Sequence, residues 1–295
     1  MIGGAGSARG GEHGLVRRVL VLDGPVGTEL ARRGVPTPLP LWSAAAIDDA
    51  PDALRAIHAD FAAAGATVHT ANTFRTDPWS LRAVGREADA RRLTKTAVAL
   101  ARDAVPAAHR VAGSLAPLED CYRPDLSPPP AVAAREHGAM AELLAESGVD
   151  LVLCETFPHP GEALLALAAV RAVGLPAWVS LTPGPFGDLL DDGTILATAE
   201  RAMEAGAERV LVNCGRPERL EPVVRALVAR GVPAGAYGNV GRPCDQQGWQ
   251  VDAEDAPGPY GAWARRLVEA GAGVIGGCCG TPPAHVAAVA RALAD

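Results

Sequence analysis

From residue 19 onward, short apolar runs rich in β-favouring residues alternate with Ala- and Leu-rich stretches of helical character. The runs lie at 19–23, 67–72, 110–114, 151–155, 177–182, 210–214, 234–239 and 273–278. The helical stretches lie at 52–64, 87–104, 131–147, 161–173, 195–205, 218–230, 261–270 and 283–294. Several of these stop at a glycine, as in Ala64-Gly65, Ser147-Gly148, Val173-Gly174 and Arg230-Gly231, which is how helices commonly end. Strands alternating with helices read as a parallel sheet with crossovers, and eight such pairs in this length predict one α/β domain, a (β/α)₈ TIM barrel.

That architecture places chemistry at the C-terminal ends of the strands. The polar residues at those ends are Asp23, Asn72, Glu155, Cys214, Asn239, Cys278 and Cys279. Three long loops interrupt the alternation and are expected over the same mouth: 24–50, with Pro36, Pro38, Pro40 and Trp42; the Pro-rich 116–130; and 240–260, with Cys244 and Trp249. Loops of this length in a compact domain are usually lids or binding loops. The first 14 residues, rich in Gly with no apolar core, read as a disordered extension, and 15–295 as the barrel.

Composition narrows the function classes. The chain has 295 residues, 48% of them hydrophobic, enough to bury a large core. A net charge of −7, with no basic block, argues against nucleic acid as a partner. No apolar run reaches membrane-spanning length, so no membrane association is expected and a cytoplasmic location is. Six cysteines without a secretion signal point to a metal or to reduced thiols rather than a disulfide framework. The oligomeric state is not legible, which leaves a homo-oligomer open.

The densest chemistry is Val274-Ile275-Gly276-Gly277-Cys278-Cys279-Gly280-Thr281. A vicinal cysteine pair between glycines at a strand end makes a poor core and a good metal clamp, the glycines letting the backbone turn so that both sulfurs face one point. Cys214 closes the sixth strand in the same way and is the best third ligand, because one strand separates the sixth and eighth around a barrel. Three thiolates with one open position describe a reactive Zn2+ site. Cys154 is expected in the core, and Cys121 and Cys244 in loops, with Cys244 in reserve as a fourth ligand or redox partner. Asp23 and Glu155 bring two carboxylates to the same rim, a pair suited to an ammonium group. The glycines after Asp23, Gly24 and Gly27, form no phosphate-binding fingerprint. His69 reads as a core residue, His58, His137 and His285 as solvated helix positions, and His159 as a weak candidate for substrate contact. No Ser, His and Asp arrangement is legible, and no general base for metal-assisted hydrolysis is found.

Asp23-Gly24 with Gly27-Thr28-Glu29-Leu30, Leu41-Trp42-Ser43, Ala71-Asn72-Thr73-Phe74, Glu155-Thr156-Phe157-Pro158, Val212-Asn213-Cys214 and Gly276-Gly277-Cys278-Cys279-Gly280-Thr281 together resemble the homocysteine S-methyltransferase family. The resemblance runs in order from about Val19 to the C-terminus. It implies a barrel in which Cys214, Cys278 and Cys279 hold zinc, Asp23 and Glu155 bind the amino group of homocysteine, and Gly24, Asn72, Thr73 and Asn213 complete the substrate site. The implied reaction is methyl transfer to the homocysteine thiolate, giving methionine. Thr156 stands where the betaine-dependent branch is expected to carry an aromatic residue, so the sequence looks more like the branch that uses S-methylmethionine or S-adenosylmethionine. Pro25, where relatives often have Gly, removes a backbone donor from the first loop. The same chemistry on another thiol or selenol, a betaine or folate donor, and a non-catalytic barrel that binds zinc or an amino acid all stay open at this level.

Overall fold

The computed structural model describes residues 19–244, 248–250 and 255–294. Its main sheet contains eight parallel strands: β1 (Leu20–Val21), β2 (Val68–Ala71), β3 (Arg110–Leu115), β4 (Leu151–Phe157), β5 (Ala177–Leu181), β6 (Arg209–Asn213), β7 (Ala234–Gly238) and β10 (Val274–Gly277). They run in the order β1-β10-β7-β6-β5-β4-β3-β2. A bridge between Leu22 and Val68 joins the two end strands, with Asp23 N donating to the Val68 carbonyl at 3.0 Å and Thr67 N to the Val21 carbonyl at 2.8 Å. The sheet thus closes into the expected TIM barrel, and each predicted apolar run holds one of its strands. The two remaining strands, β8 (Arg242–Cys244) and β9 (Gly248–Gln250), form a short antiparallel hairpin in the loop after β7.

The helices are α1 (Val26–Arg32), α2 (Ala46–Asp49), α3 (Pro51–Ala63), α4 (Pro78–Arg82), α5 (Ala90–Ala104), α6 (Pro130–Glu146), α7 (Pro160–Ala172), α8 (Asp192–Glu204), α9 (Pro217–Ala229), α10 (Pro257–Glu269) and α11 (Pro283–Ala294). The expected helices begin at or slightly N-terminal to their predicted starts, or, for 87–104, behind a short 3₁₀ turn. Proline explains much of the offset. It lacks an N–H, but the first turn of a helix has no intrahelical use for one, so proline opens the helix instead of preceding it. Gly65, Gly148, Gly174 and Gly231 all adopt positive φ, as helix-ending glycines do.

Two apolar layers result. Side chains such as Leu54, Phe61, Leu144, Cys154, Leu167, Val224 and Leu267 fill the space between sheet and helices, while Leu22, Val68, Ala112, Leu151, Leu153, Trp178, Leu211 and Val274 fill the barrel interior. Strand alternation decides which layer a residue joins. Cys154 lies in the outer layer, as expected, and Cys214, Tyr237 and Cys278 join the inner one.

Several expectations need correction. Loop 24–50 is half helical, holding α1, a 3₁₀ turn at Trp42–Ala45 and α2. His58, His137 and His285 are not solvated: each is at least 97% buried, because α3, α6 and α11 turn those positions inward. His137 Nε2 meets Glu162 at 3.1 Å and His285 Nε2 meets the Asp255 carbonyl at 2.7 Å. His159 does not face substrate space; its Nδ1 accepts the Glu162 backbone N–H at 3.1 Å and caps α7. The expectations for residues 1–14 and for the Cys244 side chain fall outside the described residues.

Candidate active site

The sulfur cluster is built largely by backbone. Cys214 follows β6 with φ +54°, a left-handed conformation that non-glycine residues rarely hold. Cys278 N donates to the Gly238 carbonyl at 2.9 Å, and the Cys279 carbonyl accepts from Val240 N at 3.0 Å, so the end of β7 fixes the vicinal pair. Thr281 N and Oγ1 both donate to the Cys278 carbonyl, at 3.1 and 2.5 Å. The glycines of the motif have divided roles. Gly280 alone turns with positive φ (+78°), whereas a Cβ on Gly277 would sit 2.2 Å from Thr281 Oγ1 and one on Gly276 2.6 Å from Leu22 Cβ. Those two are glycine because β10 lies hard against β1 and the following turn, not because the chain bends there.

The sulfurs of Cys214, Cys278 and Cys279 all lie within 4.8 Å of one another, and those of Cys214 and Cys278 are 2.8 Å apart. That spacing is far too long for a disulfide, whose sulfurs sit about 2.05 Å apart. Asn213 Nδ2 donates to Cys214 Sγ at 3.3 Å and to Thr156 Oγ1 at 2.8 Å, while its Oδ1 accepts from Ser180 Oγ at 2.8 Å. Burial opposes a charge on Cys278, yet hydrogen bonds from Cys214 and Cys279 outweigh it and hold this thiol well below the ordinary thiol range. Three converging sulfurs, one of them readily anionic and all buried or half-buried, are a donor set for a thiophilic cation such as zinc. The cavity beside them leaves room for a further ligand.

Across the rim stand the two carboxylates. Asp23 is buried; its Oδ2 accepts from Thr70 N at 2.8 Å and its Oδ1 from Thr70 Oγ1 at 3.1 Å. Burial pushes its pKa well above the ordinary carboxylate value, and the nearby Glu155 adds to the rise. Glu155 accepts from Ser114 Oγ through Oε1 and from the Tyr237 hydroxyl at 3.2 Å through Oε2. Burial, aided by the charge on Cys278, raises its pKa to about 7 against the pull of those hydrogen bonds. A register shift in β4 between Cys154 and Phe157, with Thr156 at φ +64°, is the local distortion that delivers Glu155 and Thr156 together to the rim. Bulges next to functional sites commonly re-aim side chains in this way.

Asp23, Gly24, Asn72, Glu155, Cys214, Cys278 and Cys279 all line one cavity of about 440 Å³. Gly24 cannot carry a side chain there, since a Cβ would fall 2.5 Å from the Phe61 ring. Asn72 is locked to Ser43, donating to its carbonyl at 2.8 Å and accepting from its hydroxyl at 2.7 Å. Thr73 and Asn213 are not among the lining residues. Thr73 Oγ1 instead ties β2 to β3, donating to the Ser114 carbonyl and accepting its N–H at 2.8 and 2.9 Å. Asn239 is also buried outside the lining, its amide without a partner among the described residues.

Lining residues that the sequence did not single out include Thr70, Ser114, Tyr237, Tyr122 and Asp120, with Cys121 noted there only as a loop residue and Trp42 only as a loop residue and part of the family motif. Tyr237 carried a signal, being a lone aromatic in Ala234-Gly235-Ala236-Tyr237-Gly238. The loop bearing Asp120, Cys121 and Tyr122 is pinned over the mouth by Arg75, which donates to the Pro117 and Glu119 carbonyls at 2.7 and 2.8 Å, and by Trp79 Nε1, which donates to Glu119 at 3.0 Å. Among the described residues, the non-glycine positions with positive φ are Trp42, Thr156 and Cys214, and all three line this cavity. Strained backbone gathers at sites that function requires and the fold has to hold in place.

Residues 20–293 match the family model for homocysteine S-methyltransferase. The homocysteine S-methyltransferase of Escherichia coli strain K12 is 32% identical, the alignment covering 92% of this chain and 94% of that one. Homocysteine S-methyltransferase YbgG of Bacillus subtilis is 28% identical, with 93% and 95% covered. The crystal structure of the homocysteine methyltransferase MmuM from Escherichia coli in its metallated form superposes with a TM-score of 0.79 at 27% identity, covering 94% of this chain and 96% of that one. Fold, rim chemistry and sequence match agree over the same residues: the chain belongs to the homocysteine S-methyltransferase family of methyltransferases.

Proposed function

We propose that the protein transfers a methyl group from a sulfonium donor, S-methylmethionine or S-adenosylmethionine, to the thiolate of homocysteine, giving methionine, and that it does so as a zinc enzyme. The observation that carries this reading is the placement of three cysteine sulfurs and two desolvated carboxylates on one cavity. An amino acid with a side-chain thiol offers the two complementary groups. Its ammonium suits Asp23 and Glu155, each contributing a charge-assisted hydrogen bond, and its sulfur suits the thiophilic corner.

Cys214, Cys278 and Cys279 would hold the metal, whose chemistry, once bound, is to keep an acceptor thiol deprotonated near neutral pH. Asn213 steadies the sulfurs from behind and Thr156 anchors Asn213. Ser114 and Tyr237 orient Glu155, and Thr70 orients Asp23, so the ammonium fixes the direction in which the acceptor side chain points. Asn72 and Thr73 brace the wall between them. In the transfer itself a sulfur–carbon bond forms on the acceptor thiolate while the donor's sulfur–methyl bond breaks. That bond's electron pair stays on the donor sulfur, which leaves as a neutral thioether. The outer part of the cavity suits a cationic donor: Trp42 and Tyr122 offer aromatic faces and Asp120 a carboxylate, while Arg75 is occupied by backbone carbonyls and by the Phe74 ring, 4.9 Å from its guanidinium. The five cysteines with described surroundings are all unpaired, which supports a reducing, cytoplasmic setting.

The test is methionine formation and metal content, measured on the wild type and on Cys278→Ala. Homocysteine is the acceptor, and S-methylmethionine, S-adenosylmethionine, betaine and a methylfolate are offered in turn. About one zinc per chain and turnover with a sulfonium donor, both lost in the variant, is the expected outcome. Turnover with betaine or the folate alone would overturn the donor assignment. Homocysteine binding without turnover on every donor would favour a binding protein over an enzyme.

A further inference from the structure

Asp23 belongs to a second cluster whose other members do not line the cavity. His58 on α3 and His69 on β2 are both fully buried, and one nitrogen of each ring lies within 4.8 Å of the other and of an Asp23 oxygen. Buried polar atoms normally find partners, and those of His58 do not: neither of its nitrogens makes a hydrogen bond. The His69 ring has the Ala66 carbonyl beside it, at a geometry that leaves its Nδ1 without a full hydrogen bond. Nε2 of His69 meets Nδ1 of His109 at 3.1 Å.

The cluster has the character of a cation site on three counts. Burial keeps both imidazoles neutral, with pKa values lowered to about 4 for His58 and about 3 for His69, so His58 has a lone pair to give, and His69 has one at Nδ1 when its Nε2 donates to His109. Asp23 is a desolvated carboxylate whose hydrogen bonds come from Thr70 alone among those described and whose charged neighbour is another carboxylate, Glu155. Two imidazoles and a carboxylate are also a different donor class from the three thiols nearby, suiting manganese, iron, cobalt or zinc in the divalent state where the thiols select a softer ion. No hydrogen bond holds the His58 ring, so ligating an ion would break none.

We propose that Asp23, His58 and His69 form a second, buried site for a divalent transition-metal ion, entered through the substrate cavity, and that filling it weakens substrate binding. The second half rests on the function proposed above. A carboxylate that ligates a divalent cation is a poorer acceptor for an ammonium group, so the ion and the amino acid draw on the same charge from opposite sides. The site would then make the affinity for the acceptor respond to metal supply without disturbing the thiols.

The probe is manganese(II), which the thiol cluster does not favour, titrated into the full chain loaded with a single equivalent of zinc and counted by electron paramagnetic resonance. The wild type is expected to bind about one manganese in addition to its zinc, and His58→Gln and His58→Leu none. Both variants are expected to keep their zinc and a cooperative thermal transition. Glutamine keeps the side chain polar, so it carries the test if leucine prevents folding. No bound manganese in the wild type would overturn the proposal and assign the space to solvent, and equal binding in wild type and His58→Gln would overturn it by placing the ion elsewhere. In a second arm, calorimetry is expected to show the homocysteine Kd rising at least about fivefold with manganese in the wild type and unchanged in His58→Gln. An unchanged Kd in the wild type would overturn the coupling. A protein that binds no homocysteine at all would instead sink the proposed function and the coupling with it, while the manganese count would still decide the site.

Discussion

The two arcs of the cavity rim hold their reactive groups by different means. On the sulfur arc, from β6 through β7 to β10, backbone does the positioning: a left-handed Cys214, glycines that admit neighbouring strands, and hydrogen bonds from or to the peptide groups of Gly238, Val240 and Thr281. On the carboxylate arc, from β1 to β4, side chains share the work, with Thr70 and Ser114 donating to Asp23 or Glu155 and Tyr237 reaching Glu155 from β7 across the barrel mouth. The difference has an energetic consequence. A thiol is cheap to bury while neutral, but a buried carboxylate costs stability whenever it is charged, so the carboxylate arc opposes the fold and the sulfur arc does not.

Four substitutions would sharpen or break that contrast. Cys278→Ser should have the largest effect, taking turnover to background and zinc to well below one per chain while circular dichroism stays that of the wild type. A lost fold would mean that the sulfur arc is structural after all. Glu155→Gln should lower kcat/KM for homocysteine on the order of 10²-fold, the equivalent of about 2–3 kcal/mol for a charge-assisted hydrogen bond. It should also reveal the cost of the native charge. The Glu155 pKa is raised to about 7 from the ordinary 4.5, so between those values the native state holds a proton that the unfolded state has released. The contribution is full below about pH 4.5 and is lost as pH rises through 7, a change on the order of 3 kcal/mol. Urea titrations should therefore show the glutamine variant gaining on the wild type between pH 5 and pH 8, and parallel pH profiles would contradict the account. For the wild type, ionisation of the same group makes the apparent affinity for an ammonium-bearing substrate improve as pH rises through 7.

Tyr237→Phe removes one donor to Glu155 and should raise KM roughly fivefold with kcat nearly unchanged, in line with a hydrogen bond worth about 1 kcal/mol. The smallest functional effect belongs to Cys154→Ala. Its side chain is one residue from Glu155 but packs among the helices, so we expect unchanged kcat/KM and zinc content and a loss of about 1 kcal/mol in stability. A change in zinc content would show that strand alternation misplaced it.

What the sequence made legible follows from periodicity and from chemistry that cannot hide. Apolar runs broad enough to be buried on both faces marked all eight barrel strands, and a vicinal cysteine pair between glycines announced the sulfur corner before any fold was known. Short helices such as α1, α2 and α4 were not legible, because four to seven residues carry too little pattern to stand out from a loop. The buried histidines were misjudged for a related reason. His58, His137 and His285 sit on helices whose inward face is set by packing, and one polar residue on that face looks in sequence like one on the other.

The chain alone therefore determined the order of strands and helices, the family, and the residue types at each strand end. Each of these depends on local pattern or on identity at a single position. Tertiary structure decided that Cys214 meets Cys278 at 2.8 Å across 64 residues of chain, that Tyr237 reaches Glu155, and that Asp23 faces both the cavity and the buried rings of His58 and His69. Distances between strands, and the burial that shifts a carboxylate's pKa, arise only when the sheet closes, because until then water surrounds every one of these groups and none of them has a neighbour.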